Sequence, residues 1–339
     1  MKRLNNCLEG KNYDNFPVWF MRQAGRYLPE FQEIRKKNKN FIDLCLNEKL
    51  CTEISLQPLS RYDLDAAIIF SDILMIPYGL GQNVEFKKNF GPQLDKLIVD
   101  EVISKNHIDF IKNVNPIYKA IKKLKKNIGK NKSVIGFVGA PWTLLVYMIG
   151  QKSPKKNINI EALTDDKNLI DKLLKKLEEI ICLHIKKQIE SGADVIQIFD
   201  SWAGILPEKK LPKYCYEPTL KIVEYIKSKK IPTICFPKGI KKNYIDFCST
   251  VKPDCISIDC EIDPIWAKKK MKGTVIQGGL DPKVLLENKE NIKKKVEQYL
   301  NIFIDYPYVF NLGHGVLPNT KPEIIDYVIG IVRNKKKII

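Results

Sequence analysis

Two arginines four positions apart, Arg22 and Arg26, follow a short apolar segment near the start of the chain, with Gly25 between them. A guanidinium group keeps its charge in proteins and binds a carboxylate through two parallel hydrogen bonds. The apolar segment PVWF (17–20) is typical of a buried β-strand, which would give the arginines a rigid base, and Gly25 allows a tight turn. The pattern therefore predicts a carboxylate-binding site here, although surface ion pairs would also explain two isolated arginines.

Four other polar side chains come shortly after apolar segments, and each also has a structural interpretation. Asp72 and Ser201 could face a ligand or could cap the helices that follow them. Tyr147 could donate a hydrogen bond to a ligand or could simply pack half-buried. His314 lies between two glycines, which allow a ligand to approach the backbone closely. We take these four groups, together with the arginine segment, as the candidate site.

Eight apolar segments alternate with longer amphipathic segments, and most of the eight are continuously apolar, as strands buried on both faces should be. They span residues 17–20, 65–70, 133–138, 194–199, 232–236, 255–259, 274–278 and 308–312. Interleaved helices then predict a single α/β domain over residues 1–339, folded as a (β/α)8 barrel of the TIM type with loop insertions. A doubly wound open sheet is the alternative, but no GxGxxG follows the first strand. Active sites of such barrels lie at the carboxyl ends of the strands, where the candidate residues fall.

Two local elements have clear patterns. Residues 165–191 place apolar side chains at three- and four-residue spacing, which predicts an amphipathic helix that begins after Thr164 and ends before Gly192. Residues 83–93, within the longest insertion, resemble a surface hairpin.

The net charge of +18 raises the possibility of a nucleic-acid partner. The lysines are dispersed along the chain as doublets and triplets, however, and no basic run with interleaved aromatic residues occurs. We therefore expect a solvated basic surface and no specific nucleic-acid partner. No apolar run is long enough to span a bilayer, and the first residues lack the apolar core of a signal peptide, so we expect no membrane association.

The nine cysteines are scattered and form no CxxC pair or His-x-Cys. This usage indicates reduced thiols in a cytoplasmic protein and gives no sign of a disulfide framework. Of the three histidines, His107 and His184 fall in helical patterns and are predicted to be structural. Because the histidines lack acidic or thiol neighbours at ligand spacing, we expect no metal site.

Taken together, these motifs resemble the uroporphyrinogen decarboxylase family of heme biosynthesis over nearly the whole chain. The similarity is carried by PVWFMRQAGRYLPEF (17–31), LQPLSRYDLDAAIIFSDILMIP (56–77), GFVGAPWTLLVYM (136–148), QIFDSWAG (197–204), QGGLDP (277–282) and NLGHGVLP (311–318). RQAGRYLPE and FSDIL are the most specific of these motifs, whereas QGGLDP alone would be weak.

The resemblance implies a cofactor-free barrel enzyme, usually a homodimer, that acts on a tetrapyrrole polycarboxylate. Its reaction removes CO2 from the four acetate side chains of uroporphyrinogen III and gives coproporphyrinogen III. The substrate-binding residues it implies here are Arg22, Gln23, Ala24, Gly25, Arg26, Asp72, Tyr147, Ser201 and His314, and Arg35 also falls at a position that the family uses near the cleft. Asp72 and Arg22 are the implied catalytic residues.

The chemistry assigns roles to some of these side chains. Protonation of a pyrrole ring carbon makes the ring an electron sink for CO2 loss, and the Asp72 carboxylate would stabilise the resulting positive charge. Arg22 is the proton donor suggested by position, but its high pKa makes it a poor acid, and Tyr147, His314 or a bound water are alternatives.

Two other functions are possible in principle. A zinc-dependent, corrinoid-linked methyltransferase shares this fold type, but it uses a His-x-Cys that this chain lacks. A nucleic-acid-binding protein would explain the charge alone.

Overall fold

A computed structural model describes residues 2–11, 14–87, 90–152 and 165–337. The strands are β1 Ala66–Ile68, β2 Val84–Lys87, β3 Gly91–Leu94, β4 Ser133–Gly139, β5 Val195–Asp200, β6 Thr233–Pro237, β7 Cys255–Ile258, β8 Val275–Gly278 and β9 Tyr308–Val309. The α-helices are α1 Arg3–Leu8, α2 Pro29–Lys37, α3 Phe41–Cys45, α4 Glu48–Arg61, α5 Met75–Gly79, α6 Val99–Ser104, α7 His107–Asn127, α8 Pro141–Gly150, α9 Lys167–Glu190, α10 Glu217–Ser228, α11 Tyr244–Val251, α12 Pro264–Lys270, α13 Lys289–Ile302 and α14 Pro322–Asn334.

Seven strands form one parallel sheet in the order β1-β4-β5-β6-β7-β8-β9, and β2 and β3 form a separate antiparallel pair. The α/β class and the parallel sheet confirm the prediction from the sequence. The sheet follows chain order along its whole width, which places the carboxyl ends of all seven strands along one edge.

The segment 17–20 does not form the eighth strand that the sequence predicts. It contributes a single parallel bridge, between Val18 and Phe310. Pro17 has no N–H to donate, and the N–H of Val18 donates instead to the Asp65 side chain at 2.7 Å, so a regular ladder cannot continue. The segment nevertheless reaches both sheet edges, because Phe310 N–H donates to Pro17 O at 2.8 Å and Asp65 N–H donates to Val18 O at 2.9 Å.

The two faces of the sheet bury different sets of side chains, which explains why the strands are apolar throughout. One face packs against the helices in the main core. The other face forms a smaller apolar cluster, in which Ile234 and Phe236 of β6 meet side chains from the neighbouring strands and from α1. Within β6, the intervening Cys235 belongs to the main core, as the two-residue period of a strand requires.

The two local predictions agree with the structure where it describes them. Helix α9 is capped by Asp166, whose side chain accepts a hydrogen bond from Leu169 N–H, and Gly192 follows its end with φ of +112°. The predicted cap Thr164 lies outside the described residues. The hairpin expected at 83–93 is the antiparallel β2–β3 pair.

Candidate active site

The candidate site lies at the carboxyl edge of the sheet, where five predicted residues are linked electrostatically. Arg22 interacts with the charges of Asp72, Arg26 and Tyr147, and His314 interacts with the charge of Arg22. These residues come from segments nearly 300 positions apart in the chain. The fold therefore brings the arginine segment, the β1 loop, α8 and the β9 loop to one place.

The arginine segment is held by Gln23, whose side chain is fully buried. Its Oε1 accepts a hydrogen bond from Phe20 N–H at 3.0 Å, and its Nε2 donates to Ala66 O on β1 at 3.0 Å. The Gln23 side chain thus fixes the segment to the sheet. Ala24 is half-buried and packs against the main core.

Arg22 has a strained backbone, with φ of +61°, a region that non-glycine residues seldom adopt. Gly25 is required for close approach: a Cβ there would lie 2.8 Å from Arg22 O. The Arg22 side chain lies across Gly315, where a Cβ would lie 2.6 Å from Arg22 Cγ. Two glycines therefore determine where this guanidinium sits.

The two arginines are both exposed to solvent, but they differ in their surroundings. Although Arg22 is exposed, the surrounding protein partly excludes water and lowers the pKa of its guanidinium. The charge of Asp72 raises this pKa, and the charge of Arg26 lowers it. Arg26 forms no ion pair with any residue that the structure describes. Two neighbouring cations that are not both neutralised by acidic side chains are suited to bind an anionic ligand.

Asp72 is half-buried directly after β1. Burial raises the pKa of its carboxyl to about 6, against the opposing effects of the Leu74 N–H and of Arg22. Oδ1 accepts the hydrogen bond from Leu74 N–H at 2.9 Å. No described residue donates a hydrogen bond to Oδ2, so Asp72 both caps the local turn and retains an acceptor for a ligand.

His314 is half-buried, and burial, followed by the charges of Lys238 and Arg22, lowers its pKa to about 4. Its Nδ1 accepts a hydrogen bond from Gly315 N–H at 2.8 Å, so the neutral ring carries its proton on Nε2. At neutral pH the imidazole is therefore uncharged and offers one N–H donor.

Helix α8 and the loop after β5 form one hydrogen-bonded unit that carries Tyr147 and Ser201. Thr143 Oγ1 donates to Asp200 Oδ1 at 2.5 Å and accepts from Trp202 N–H at 3.0 Å. The Tyr147 and Trp202 rings then meet edge to face, 6.0 Å apart. Ser201 is half-buried between the two residues that Thr143 holds.

Asp200 is almost fully buried, and burial raises its pKa to about 6. The sequence places Asp200 at the end of the fourth predicted strand, but neither Asp200 nor Thr143 is among the candidate site residues. A charged residue within an apolar strand, as in QIFD, is the signal that could have identified Asp200.

Three phenylalanines near the carboxyl ends of β4, β5 and β6 form an aromatic group, which we call the aromatic floor. Phe137 and Phe199 are 5.7 Å apart, and Phe199 and Phe236 are 6.5 Å apart, between ring centroids. All three belong to or pack against the smaller cluster. An apolar floor with a polar rim fits a large ring whose charges lie at its periphery.

Arg35, His184 and His107 have partners outside this group. The Arg35 guanidinium donates to Asn38 O at 2.7 Å and lies 5.6 Å from the Phe41 ring centroid, so it stabilises the end of α2. His184 is buried beside Tyr118, and burial lowers its pKa to about 3, which agrees with a structural role. His107 is exposed and pairs with Glu179.

No cluster of three or more His, Cys, Asp or Glu side chains suited to a metal ion occurs in the described part of the chain. Among the same residues, no helix is both long and apolar enough to cross a membrane.

Comparison with known proteins identifies the family. The family model described as uroporphyrinogen decarboxylase matches residues 1–335. The chain is 42% identical over 331 residues to the uroporphyrinogen decarboxylase of Rickettsia bellii, covering 95% of this chain and 96% of that protein. It is 42% identical over 340 residues to that of Rickettsia canadensis, covering 99% and 100%.

Among solved structures, a methyltransferase from Methanosarcina mazei superposes with a TM-score of 0.80 at 15% identity, covering 98% of this chain and 97% of the other. At this identity the similarity concerns the fold alone. The family match covers nearly the entire chain, and the sequence identity to the bacterial enzymes extends over its full length. The chain belongs to the uroporphyrinogen decarboxylase family.

Proposed function

We propose that this protein is a carboxy-lyase that converts uroporphyrinogen III into coproporphyrinogen III, releasing one CO2 from each of four acetate side chains. The observation that carries the proposal is the placement of Asp72 beside Arg22, at the same sheet edge as the aromatic floor. Asp72 is a half-buried carboxylate, and one of its oxygens accepts no hydrogen bond from the described residues. This arrangement suits a macrocycle with acidic side chains outside and pyrrole N–H groups inside.

The substrate's carboxylates would bind to the rim. Arg22 and Arg26 supply charged forks, whereas Tyr147, Ser201 and the Nε2–H of neutral His314 supply uncharged donors. The backbone of Ala24 and Gly25 lies between the arginines, so these two residues shape the same subsite. The side chain of Gln23 supports the subsite from beneath through its bonds to Phe20 and Ala66.

The reaction begins when a proton adds to the pyrrole carbon next to the nitrogen, which leaves the ring cationic. The bond between the acetate methylene and its carboxylate then breaks, CO2 leaves, and the bonding electrons neutralise the ring as an exocyclic methylene. A second proton converts that methylene into a methyl group, and the ring carbon returns the first proton. Ionised Asp72 accepts hydrogen bonds from the pyrrole N–H groups and stabilises the cation in the first step.

The shifts in pKa bear on the source of the first proton. The lowered pKa of Arg22 acts in the direction that an acid role needs. The lowered pKa of His314 acts against an imidazolium donor at neutral pH. Arg22 is therefore proposed as the catalytic partner of Asp72, with Tyr147 assigned to substrate binding.

Five further proposals concern the whole molecule. Residues 17–20 take the place of the eighth strand and close the sheet into a (β/α)8 barrel, which is supported by their hydrogen bonds to both sheet edges. Residues 1–339 form one domain, in which a single main core joins all the large helices. By resemblance to the family, the protein is proposed to be a cytoplasmic homodimer and to need no cofactor.

The proposal is tested by anaerobic incubation of the purified protein with chemically reduced uroporphyrin III, with and without EDTA. The products are oxidised and separated by their number of carboxylates. Porphyrins with seven, six, five and four carboxylates, formed equally with EDTA, would support the proposal. A folded protein that removes no carboxylate would overturn it, and activity lost with EDTA would overturn the cofactor-free reaction.

A further inference from the structure

Lys238 follows β6 at the carboxyl edge of the sheet, directly after Pro237. Ile234 and Phe236 of the same strand point into the smaller apolar cluster, whereas Cys235 points to the helices. Lys238 itself lies in the turn after the strand, where its N–H also donates to Phe236 O at 3.1 Å. The lysine therefore begins directly next to the end of the strand that carries Phe236.

The backbone around Lys238 is tied to the loop that carries Ser201. Lys238 N–H donates to Asp200 O at 3.1 Å, and Gly204 N–H donates to Lys238 O at 2.9 Å. Close packing adds to these bonds, because a Cβ on Gly204 would lie 2.7 Å from Gly239 O. The lysine thus has a fixed starting point next to the Ser201 loop.

The charge of Lys238 lowers the pKa of His314, as does the charge of Arg22. Its ammonium group therefore lies within electrostatic reach of the imidazole. The described site therefore contains three cations, Arg22, Arg26 and Lys238. The carboxylate whose charge acts on Arg22 there is Asp72.

Lys238 is half-buried, yet it forms no ion pair with any residue in the ranges that the structure describes. The nearest acidic residues in the adjoining loops have other partners. Asp200 accepts from Thr143, and Asp259 accepts from Gly239 N–H at 2.8 Å and from Tyr244 Oη at 3.0 Å. A partly desolvated cation without a counterion is unfavourable, and a carboxylate from a ligand would offset that cost.

We propose that Lys238 binds a carboxylate of the substrate, in a subsite between His314 and the Ser201 loop. This inference rests on the proposed function, since it assigns a place to one of the acidic side chains of the macrocycle. Lys238 follows β6, whereas the arginines precede α2, so Lys238 would bind a further carboxylate of the same ring.

The experiment compares Lys238→Met with Lys242→Met in the anaerobic assay. Lys242 is exposed in the same loop, so its substitution removes the same charge from the protein without reaching the site. Loss of one charge-assisted hydrogen bond predicts a KM about 10-fold higher for Lys238→Met, with kcat changed less than about threefold. Lys242→Met should keep the KM of the unsubstituted protein, and Lys238→Arg should stay within about threefold of it.

The outcomes separate the two proposals. An inactive unsubstituted protein would overturn the proposed function itself. An active protein in which Lys238→Met and Lys242→Met have equal KM values would overturn the lysine subsite alone, as would a change in kcat without a change in KM. Far-ultraviolet circular dichroism and thermal unfolding check the fold, and Lys238→Gln replaces Lys238→Met if the latter does not fold.

Discussion

Replacement of Asp72 by asparagine should remove activity and stabilise the protein at the same time. Asparagine keeps a side-chain oxygen that can accept from Leu74 N–H, so the turn after β1 should persist. It cannot carry the negative charge that the cationic pyrrole requires. Removal of one preorganised electrostatic group lowers turnover by about 100- to 1,000-fold in other enzymes, and we expect a loss of that order.

The predicted gain in stability follows from the pKa of Asp72, which burial raises from 3.8 to about 6. A raised carboxyl pKa means that the folded state holds the proton more tightly than the unfolded state, so ionisation costs stability as pH rises from about 4 to about 6. At pH 7 the full cost is about 3 kcal/mol. Since Asp72 keeps partial contact with solvent, we expect Asp72→Asn to be more stable by about 1–2 kcal/mol at pH 7.

The assay combines anaerobic turnover with urea unfolding at pH 7 and pH 4. The stability difference should be present at pH 7 and nearly absent at pH 4, where the carboxyl of the unsubstituted protein is protonated. Asp100→Asn, at an exposed position, is the matched control and should change neither quantity. Turnover within a few-fold of the unsubstituted protein, or a loss of stability at pH 7, would refute this reasoning.

Three further substitutions test how the site is held. Gly315→Ala should displace Arg22, whose Cγ would lie 2.6 Å from the new Cβ, and KM measurements should show an increase of about 10-fold or more. Thr143→Val should remove the Thr143 hydrogen bond to the buried Asp200 carboxylate and lower both activity and stability, the latter by about 1–3 kcal/mol in urea unfolding. Thr143→Ser should retain both, and equal behaviour of the two variants would contradict the role of the hydroxyl. Arg26→Ala should raise KM more than it lowers kcat, and a pure kcat effect in steady-state kinetics would count against carboxylate binding.

The RQAGR motif contains both side chains that can reach a ligand and side chains that support the segment, and Gln23 is of the second kind. The RQAGR sequence placed it among the substrate-binding candidates, but its side chain is fully buried and bonded to Phe20 and Ala66. The Arg35 guanidinium is likewise bonded to the backbone, at the end of α2. Sequence spacing identifies which segment reaches a site, whereas the direction of each side chain depends on backbone angles such as the φ of +61° at Arg22.

The sequence alone determined the α/β class, the order of the strands and the segments that carry polar residues, because these depend on local periodicity and on the residue types at strand ends. Only the tertiary structure decided which of those residues meet and in what state. Burial and charges that are distant in the chain produce the raised pKa of Asp72 and the neutral form of His314. The fold likewise brings the charge of Lys238 within reach of His314. The missing eighth strand likewise depends on a distant residue, Asp65, which takes the N–H of Val18 that a regular ladder would use.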